Sequence, residues 1–491
     1  MNTYRKNKYY PMFLGGIIIL VSIIAIYKIC AGDGAIVFID DTVTDGEDST
    51  ELVLKDMKLR DSEEYKSWKH TTDTSFSSLY NGNRAVDVLA SRPDMVILWA
   101  GYSFSKSYYT PRGHMYTVDD FRQSLRSGAP MGKGEGMQPA ACWACKSQDV
   151  VLVAEKVGFP AFYQQKWSYW GSEIVNPVAC SDCHDPESMD LYITRPFFAE
   201  AYQRSGRQLE DASEQDMRSL VCAQCHSEYY MDEKNKAVVF PWNNGYSMEG
   251  METYYDSIEF SDYTHKLSRA PLLKAQHPDF ELAQMGIHAQ RGVSCGECHM
   301  PYMGEDVKQY NNHHIQSPLA MIDQTCRSCH RENEETLYQN VYDRQNKVME
   351  VRNRLEDELT RAHIEAKFAW DRGATERQMK GVLKLLRQAQ WRWDFGVASH
   401  GAAFHAPQEV QRILGCGLDK AMQARIAILK VLVGLGYTGD VPMPDISTKE
   451  KAQKYIGLNM AEENMSKEKF LKTVLPEWIE EAKANNRLLK Q

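Results

Sequence analysis

A chain of 491 residues, 43% hydrophobic and 25% charged, has a globular composition and room for one large domain or two or three ordinary ones. A net charge of −9 at pH 7 without a dominant basic stripe excludes nucleic acid as the main partner, and the composition excludes a disordered or fibrous class. Ten of the twelve cysteines fall into five Cys-x-x-Cys pairs, where chance would give about 0.3.

At the N-terminus, Arg5, Lys6 and Lys8 precede an almost wholly apolar run from Met12 to Tyr27. Residues 1–32 therefore read as an export signal or membrane anchor. No small-x-small cleavage site follows, and the residues before Cys30 fit a lipoprotein box poorly. A retained anchor and an atypical cleaved signal both stay open, and both place the rest of the chain outside the cytoplasm. Residues 33–60 form a polar, acidic spacer. Residues 61–331 are irregular, rich in Gly, Pro, Trp and Tyr, and hold all five Cys pairs.

The texture changes over residues 332–491. Val341, Val348, Val351, Leu355, Leu359, Ala362 and Ala366 recur at helical spacing. Gly373 reads as a stop, and Thr375 with Gln378 as a capping box for a helix to about 396. Pro407 suits the first turn of a helix running to about Gly434. Ser447 with Glu450 predicts a shorter helix, and a last one is expected over about 466–488. The fold class is mainly α. The long helices pack on the Cys-rich region as one continuous domain, on a second subunit, or on both. Cys416, in an apolar helical stretch, is expected to be a small buried residue.

Four Cys pairs are followed directly by histidine: Cys180, Cys183 and His184; Cys222, Cys225 and His226; Cys295, Cys298 and His299; Cys326, Cys329 and His330. Two thiols one helical turn apart can add to the two vinyl groups of a porphyrin, and the next residue then lies beneath the iron. This is the attachment motif of haem c. Zinc ribbons and redox dithiols fit poorly, because an adjacent histidine recurs in an exported chain.

The fifth pair, Cys142 and Cys145, is followed by Lys146. A lysine amine has a pKa near ~10.4 and must lose its proton to bind iron, which burial and a neighbouring cation both favour. It is either a decayed motif or a haem deliberately given a different proximal ligand. Ten histidines remain outside the motifs: His70, His114, His265, His277, His288, His313, His314, His363, His400 and His405. Four relay haems need four of them, and spacing alone does not say which.

The CWACK stretch, the four CxxCH motifs, CHSEYY and KAQHP together closely resemble ammonia-forming cytochrome c nitrite reductase, a pentahaem cytochrome c552 family. The resemblance runs from about Ser67 to the C-terminus and includes LWAGYSFS, PRGH, AQWRWD, SHG, HAP and ISTKEKAQ. It implies the multihaem cytochrome c fold, five haem c groups and six-electron reduction of nitrite to ammonium at the Lys146-ligated haem. It further implies periplasmic location and a homodimer joined through the C-terminal helices. The implied electron donor is a quinol-linked multihaem membrane cytochrome or a small soluble one.

Position by position, the resemblance makes Arg126, Tyr229 and His277 catalytic. Glu228 and Gln276 through side chains, with Tyr229 and Lys274 through carbonyls, become ligands of one Ca²⁺. The distal haem ligands become His313 for the Cys180 motif, His114 for Cys222, His405 for Cys295 and His288 for Cys326. His314, adjacent to His313, is the alternative at that place. His363 and His400 read as structural. The alternative function is an electron-transfer cytochrome with a degenerate fifth site; hydroxylamine and sulfite are alternative substrates for the enzyme.

Overall fold

The computed structural model describes residues 62–185, 188–304, 309–485 and 487. The expected signal or anchor, Cys30 and the spacer lie outside the described residues. Among those described, no helix is long and apolar enough to cross a membrane.

Three long helices dominate the C-terminal half. Glu334–Asp371 starts where the Asn333 side chain accepts from Thr336 N. It ends before Gly373, whose φ of +90° suits a residue without Cβ. Thr375 and Gln378 form the expected capping box for Glu376–Ala398, and Pro407 occupies the first turn of Pro407–Gly434. The three pack on one another along Leu355, Leu359, Leu386, Ile413, Leu414, Ala421 and Ile428, all buried. Burying such side chains stabilises by roughly 1.5–3 kcal/mol each for the larger ones.

Three details differ from expectation. The short helix Lys449–Tyr455 is capped by Thr448, which accepts from Lys451 N, while Ser447 bonds Asp445 instead. The last predicted helix is two, Met460–Lys472 and Val474–Ala484, broken at Thr473 with φ −117° and ψ −62°. Cys416 is exposed rather than buried. Its helix turns Ile413, Leu414, Gly417 and Ala421 to the core, and position 416 lies off that stripe.

The region before residue 331 is made of short helices, 3₁₀ turns and three two-stranded antiparallel ladders. Its core is continuous with that of the long helices: Leu89, Trp99, Trp143 and Phe198 belong to the same buried cluster as Trp393 and Trp478. A buried polar joint ties the cysteine-bearing turns together. Arg195, 1% exposed, pairs with Asp182 at 2.5 Å and donates to Ala144 O at 2.8 Å and Ser147 O at 3.1 Å. Gln224 accepts from the Thr194 and Arg195 amides and donates to Asp182 O. One cluster thus fixes the turns at 142–146, 180–184 and 222–226.

Arg195→Met would leave the Asp182 carboxylate buried without its cation. The expected loss is about 3–5 kcal/mol, read as a lower denaturant midpoint of the purified holoprotein. A midpoint within about 1 kcal/mol of wild type would show that the joint is not a stabilising element.

Candidate functional site

Each Cys-x-x-Cys segment closes one tight turn. In three histidine motifs the amide of the motif histidine donates to the carbonyl of the first cysteine at 2.9 Å: His184 to Cys180, His226 to Cys222 and His330 to Cys326. The Lys146 amide bonds Trp143 O at 2.9 Å instead, so the fifth turn is tighter. The cysteines of different motifs also abut. Cys145 lies against Cys225, Cys222 against Cys295 with Cys183 nearby, and Cys298 near Cys326.

Every motif histidine faces a second imidazole. Ring centroids are 6.2 Å apart for His184 and His313, 6.1 Å for His226 and His114, 6.2 Å for His299 and His405, and 6.3 Å for His330 and His288. Two metal–nitrogen bonds of about 2.0 Å, each with a ring centroid about 1.2 Å behind its nitrogen, give about 6.4 Å. The spacing is that of two imidazoles sharing one metal ion from opposite sides. His70 with His314, at 6.3 Å, and His277 with His400, at 6.1 Å, stand as far apart, but neither pair contains a motif histidine.

The other ring nitrogen is hydrogen-bonded in three of the four motif histidines. Nδ1 of His184 meets Met189 O and that of His299 meets Gln316 O, both at 2.8 Å. Nδ1 of His226 meets Asp279 Oδ2 at 3.3 Å, and that of His330 lies 3.8 Å from Glu332. The carbonyl contacts of His184 and His299 fix the tautomer and leave Nε2 for a metal, while the His330 contact is too long for a hydrogen bond and His226 Nδ1 also faces His277 Nε2 at 2.8 Å. His313, with Nδ1 on Asn311 O at 2.8 Å, is fixed by a carbonyl in the same way from the distal side. His314 holds its Nδ1 against Gln316 and pairs with His70. The residues therefore fit four haem groups, with His313 rather than His314 facing His184.

Lys146 is half-buried, with Nζ 5.5 Å from the centre of the Phe121 ring. Among the described residues no carboxylate or other acceptor is given to that amine by a hydrogen bond or ion pair. Arg126, Tyr229 and the cysteines of the fifth motif interact with one another. Arg126 stacks 4.3 Å over Phe104, its Nε donates to Ser124 Oγ, and Gln138 ties its carbonyl to Cys142. Burial lowers the Arg126 guanidinium from its usual value and pushes the Tyr229 phenol well up. His277 and Arg126 both lie near His400.

The segment after Ala275 carries the remaining predicted residues. His277 Nε2 stands 2.8 Å from His226 Nδ1 and 3.0 Å from Asp279 Oδ2. Against the upward push of burial, the two histidines hold the Asp279 carboxyl well below its usual range. Glu228 is fully buried; its Oε2 accepts from Gln276 N at 2.6 Å, and the Gln276 amide reaches Lys274 O at 3.2 Å. Buried Glu281 accepts from Glu228 N, and Asp262 from Lys274 N. Burial raises the pKa of all three acids, Glu281 to about 8 and Asp262 to about 7. The Lys274 ammonium is turned to Asp394 at 2.9 Å. A carboxyl, an amide and a carbonyl thus gather where burial disfavours the ionised form of three acids, a cost that a hard cation would offset.

Sequence reading did not single out Tyr102, whose hydroxyl accepts from Gln276 Nε2 at 3.4 Å, Tyr108, whose ring lies 5.6 Å from the Arg126 guanidinium, or Asp279. The aspartate two residues after His277 was a legible signal, Tyr102 lies in the LWAGYSFS stretch of the resemblance, and Tyr108 carried none. His363 does behave structurally, buried between Ser268 Oγ and Gln390 Oε1.

The sequence profile of the cytochrome c552 family matches residues 56–487. The cytochrome c-552 of Parabacteroides distasonis is 67% identical over 427 residues, which cover 87% of this chain and 86% of that one. The cytochrome c-552 of Bacteroides thetaiotaomicron is 62% identical over 450 residues, 92% of this chain and 91% of its own. Among solved structures, cytochrome c nitrite reductase from Desulfovibrio desulfuricans, whose catalytic subunit has two calcium sites, superposes with a TM-score of 0.70 at 29% identity. The match covers 77% of this chain and 86% of that one.

The imidazole pairs predict a spectroscopic outcome. His313→Ala should convert one low-spin haem of the purified protein to high spin, and His314→Ala should leave the spectrum unchanged. The reverse pattern in electron paramagnetic resonance would assign the ligand to His314.

Proposed function

The chain belongs to the cytochrome c552 family, and on that premise we propose that it is a periplasmic pentahaem nitrite reductase. It reduces nitrite to ammonium with six electrons at a haem attached to Cys142 and Cys145 and ligated by Lys146, fed through four bis-histidine haems. The observation that carries this reading is an inequality among five similar attachment turns. Four histidines each face a second imidazole. The fifth turn ends in a half-buried amine and has Arg126 and Tyr229 beside it. An electron-transfer cytochrome has no use for an anion pocket.

When bound, the fifth haem supplies an iron position open to the nitrite nitrogen and a path for electrons. The chain supplies the rest. Arg126 offers a fixed cation and planar N–H donors to the nitrite oxygens, a charge-assisted contact that strengthens as negative charge develops there. His277 offers a second donor and a site for proton transfer. Tyr229 stays protonated because burial raises its pKa, so it too donates. A calcium ion held by Glu228, Gln276 and the carbonyls of Tyr229 and Lys274 would order Tyr229 and His277 and raise the local positive potential. The solved relative also contains calcium.

The helix Pro407–Gly434 supports a homodimer. Met422, Ile426, Leu429 and Val433, exposed at spacings of four, three and four residues, form an apolar stripe opposite to nothing in the chain's own core. A second copy of the same stripe is its natural cover. The basic N-terminal end and apolar run 12–27 support export, with electrons arriving from a membrane quinol-linked cytochrome or a small soluble one.

Purified holoprotein supplied with reduced viologen should consume six electrons per nitrite and release ammonium. Relay haems that reduce normally while nitrite is untouched would leave only the electron-transfer reading. Lys146→His should retain five haems and alter turnover; mass spectrometry showing four haems would make Lys146 a requirement for attachment instead.

A further inference from the structure

The four motif histidines do not have equal partners. His184 and His299 rest on neutral backbone carbonyls, and His330 faces an exposed carboxylate at 3.8 Å. His226 alone meets a largely buried carboxylate within hydrogen-bond distance, Asp279 Oδ2 at 3.3 Å, and the same nitrogen stands 2.8 Å from Nε2 of His277, so the two imidazoles crowd around one carboxylate. Asp279 Oδ2 is 3.0 Å from Nε2 of His277. Asp279 Oδ1 accepts from the Ser399 hydroxyl, and the Asp279 amide donates to His277 O at 2.8 Å. One carboxylate, pinned through both oxygens, therefore touches a motif histidine and the histidine of the pocket. The motif concerned is also the one whose Cys225 abuts Cys145 of the Lys146 turn.

An imidazole that ligates a metal and gives its other N–H to a carboxylate is held in one orientation and becomes a stronger donor than one resting on a carbonyl. The added negative charge favours the oxidised metal. Resting on the nitrite reductase reading above, we infer that Asp279 is a positioning residue with two roles. It orients His277 toward the pocket, and through His226 it lowers the reduction potential of the haem attached at Cys222 and Cys225. The relay nearest the site and the pocket histidine thereby share one anchor. A purely architectural role is the competing explanation, since Asp279 begins the helix Asp279–Met285. Asparagine keeps the size and the backbone donor at this first helical residue, where the side chain caps nothing, so Asp279→Asn separates the two.

The test uses full-length holoprotein. In a redox titration followed by electron paramagnetic resonance, Asp279→Asn should move one low-spin bis-histidine signal to higher potential and leave the other three in place. In the same preparation, kcat for nitrite should fall about 10–100-fold with KM nearly unchanged, and Asp279→Glu should recover part of both. Unmoved potentials, or a moved potential with unchanged kcat, would overturn the inference. Wild-type protein assayed alongside keeps the readings apart: absent ammonium formation there removes the nitrite reading, whereas the potential shift judges the link from Asp279 to His226 by itself.

Discussion

A separation of about 6 Å between facing imidazole rings is the constraint on which most of this fold depends. The proximal member of each pair comes free with its attachment turn. The distal member does not: His114, His288, His313 and His405 arrive from four separate places along the chain. His405 sits on a four-residue helix, Ala402–His405, held between the two long helices that flank it. The approach there is close enough to need glycine. A Cβ at Gly286 would fall 1.9 Å from His405 O, and one at Gly401 would fall 2.3 Å from the His405 ring. The long helices therefore act as stiff holders for ligands, and their burial stabilises the placement of residues they do not themselves contain.

The attachment turns were legible in the sequence because a covalent motif is local. So were the long helices, whose caps at Thr375 and Pro407 are local as well. The imidazoles that face the motif histidines were legible only through the family resemblance, since pairing across many tens of residues leaves no periodic signal. His313 and His314 show the limit: both are histidines in one stretch, and only the backbone course, with His313 N bonded to Ser67 Oγ, turns the first toward His184. Cys416 was misplaced for a related reason. Its helix is apolar on two sides, one facing the core and one bearing the Met422 to Val433 stripe, and composition alone does not show which direction position 416 takes. The break at Thr473 did carry a signal: Pro476 fits the first turn of the second helix and not the interior of one continuous helix.

Charge arrangement separates the attachment turns more sharply than sequence does. Around Lys146 the fixed side chain is a cation, Arg126, set among the aromatic rings of Phe104 and Tyr108. Behind Tyr229 the balance reverses, with Glu228, Glu281 and Asp262 gathered and the nearest ammonium, Lys274, already engaged by Asp394. Buried acids without cations are costly. A divalent ion bound there would relieve that cost and at the same time set the side chain of Gln276, which begins the segment carrying His277 and Asp279.

The motif at Cys222 and Cys225 is where these constraints meet. Cys225 abuts the Lys146 turn, Cys222 abuts the Cys295 motif with Cys183 close by, and Gln224 between them belongs to the polar joint built on Arg195 and Asp182. Its histidine is the one in contact with His277. A displacement of this turn would move three attachment points and one pocket residue together. The fully buried Arg195–Asp182 pair holds this turn through directional hydrogen bonds to Ala144 O, Ser147 O and Thr194, a fixing of position that an apolar core of equal volume does not provide.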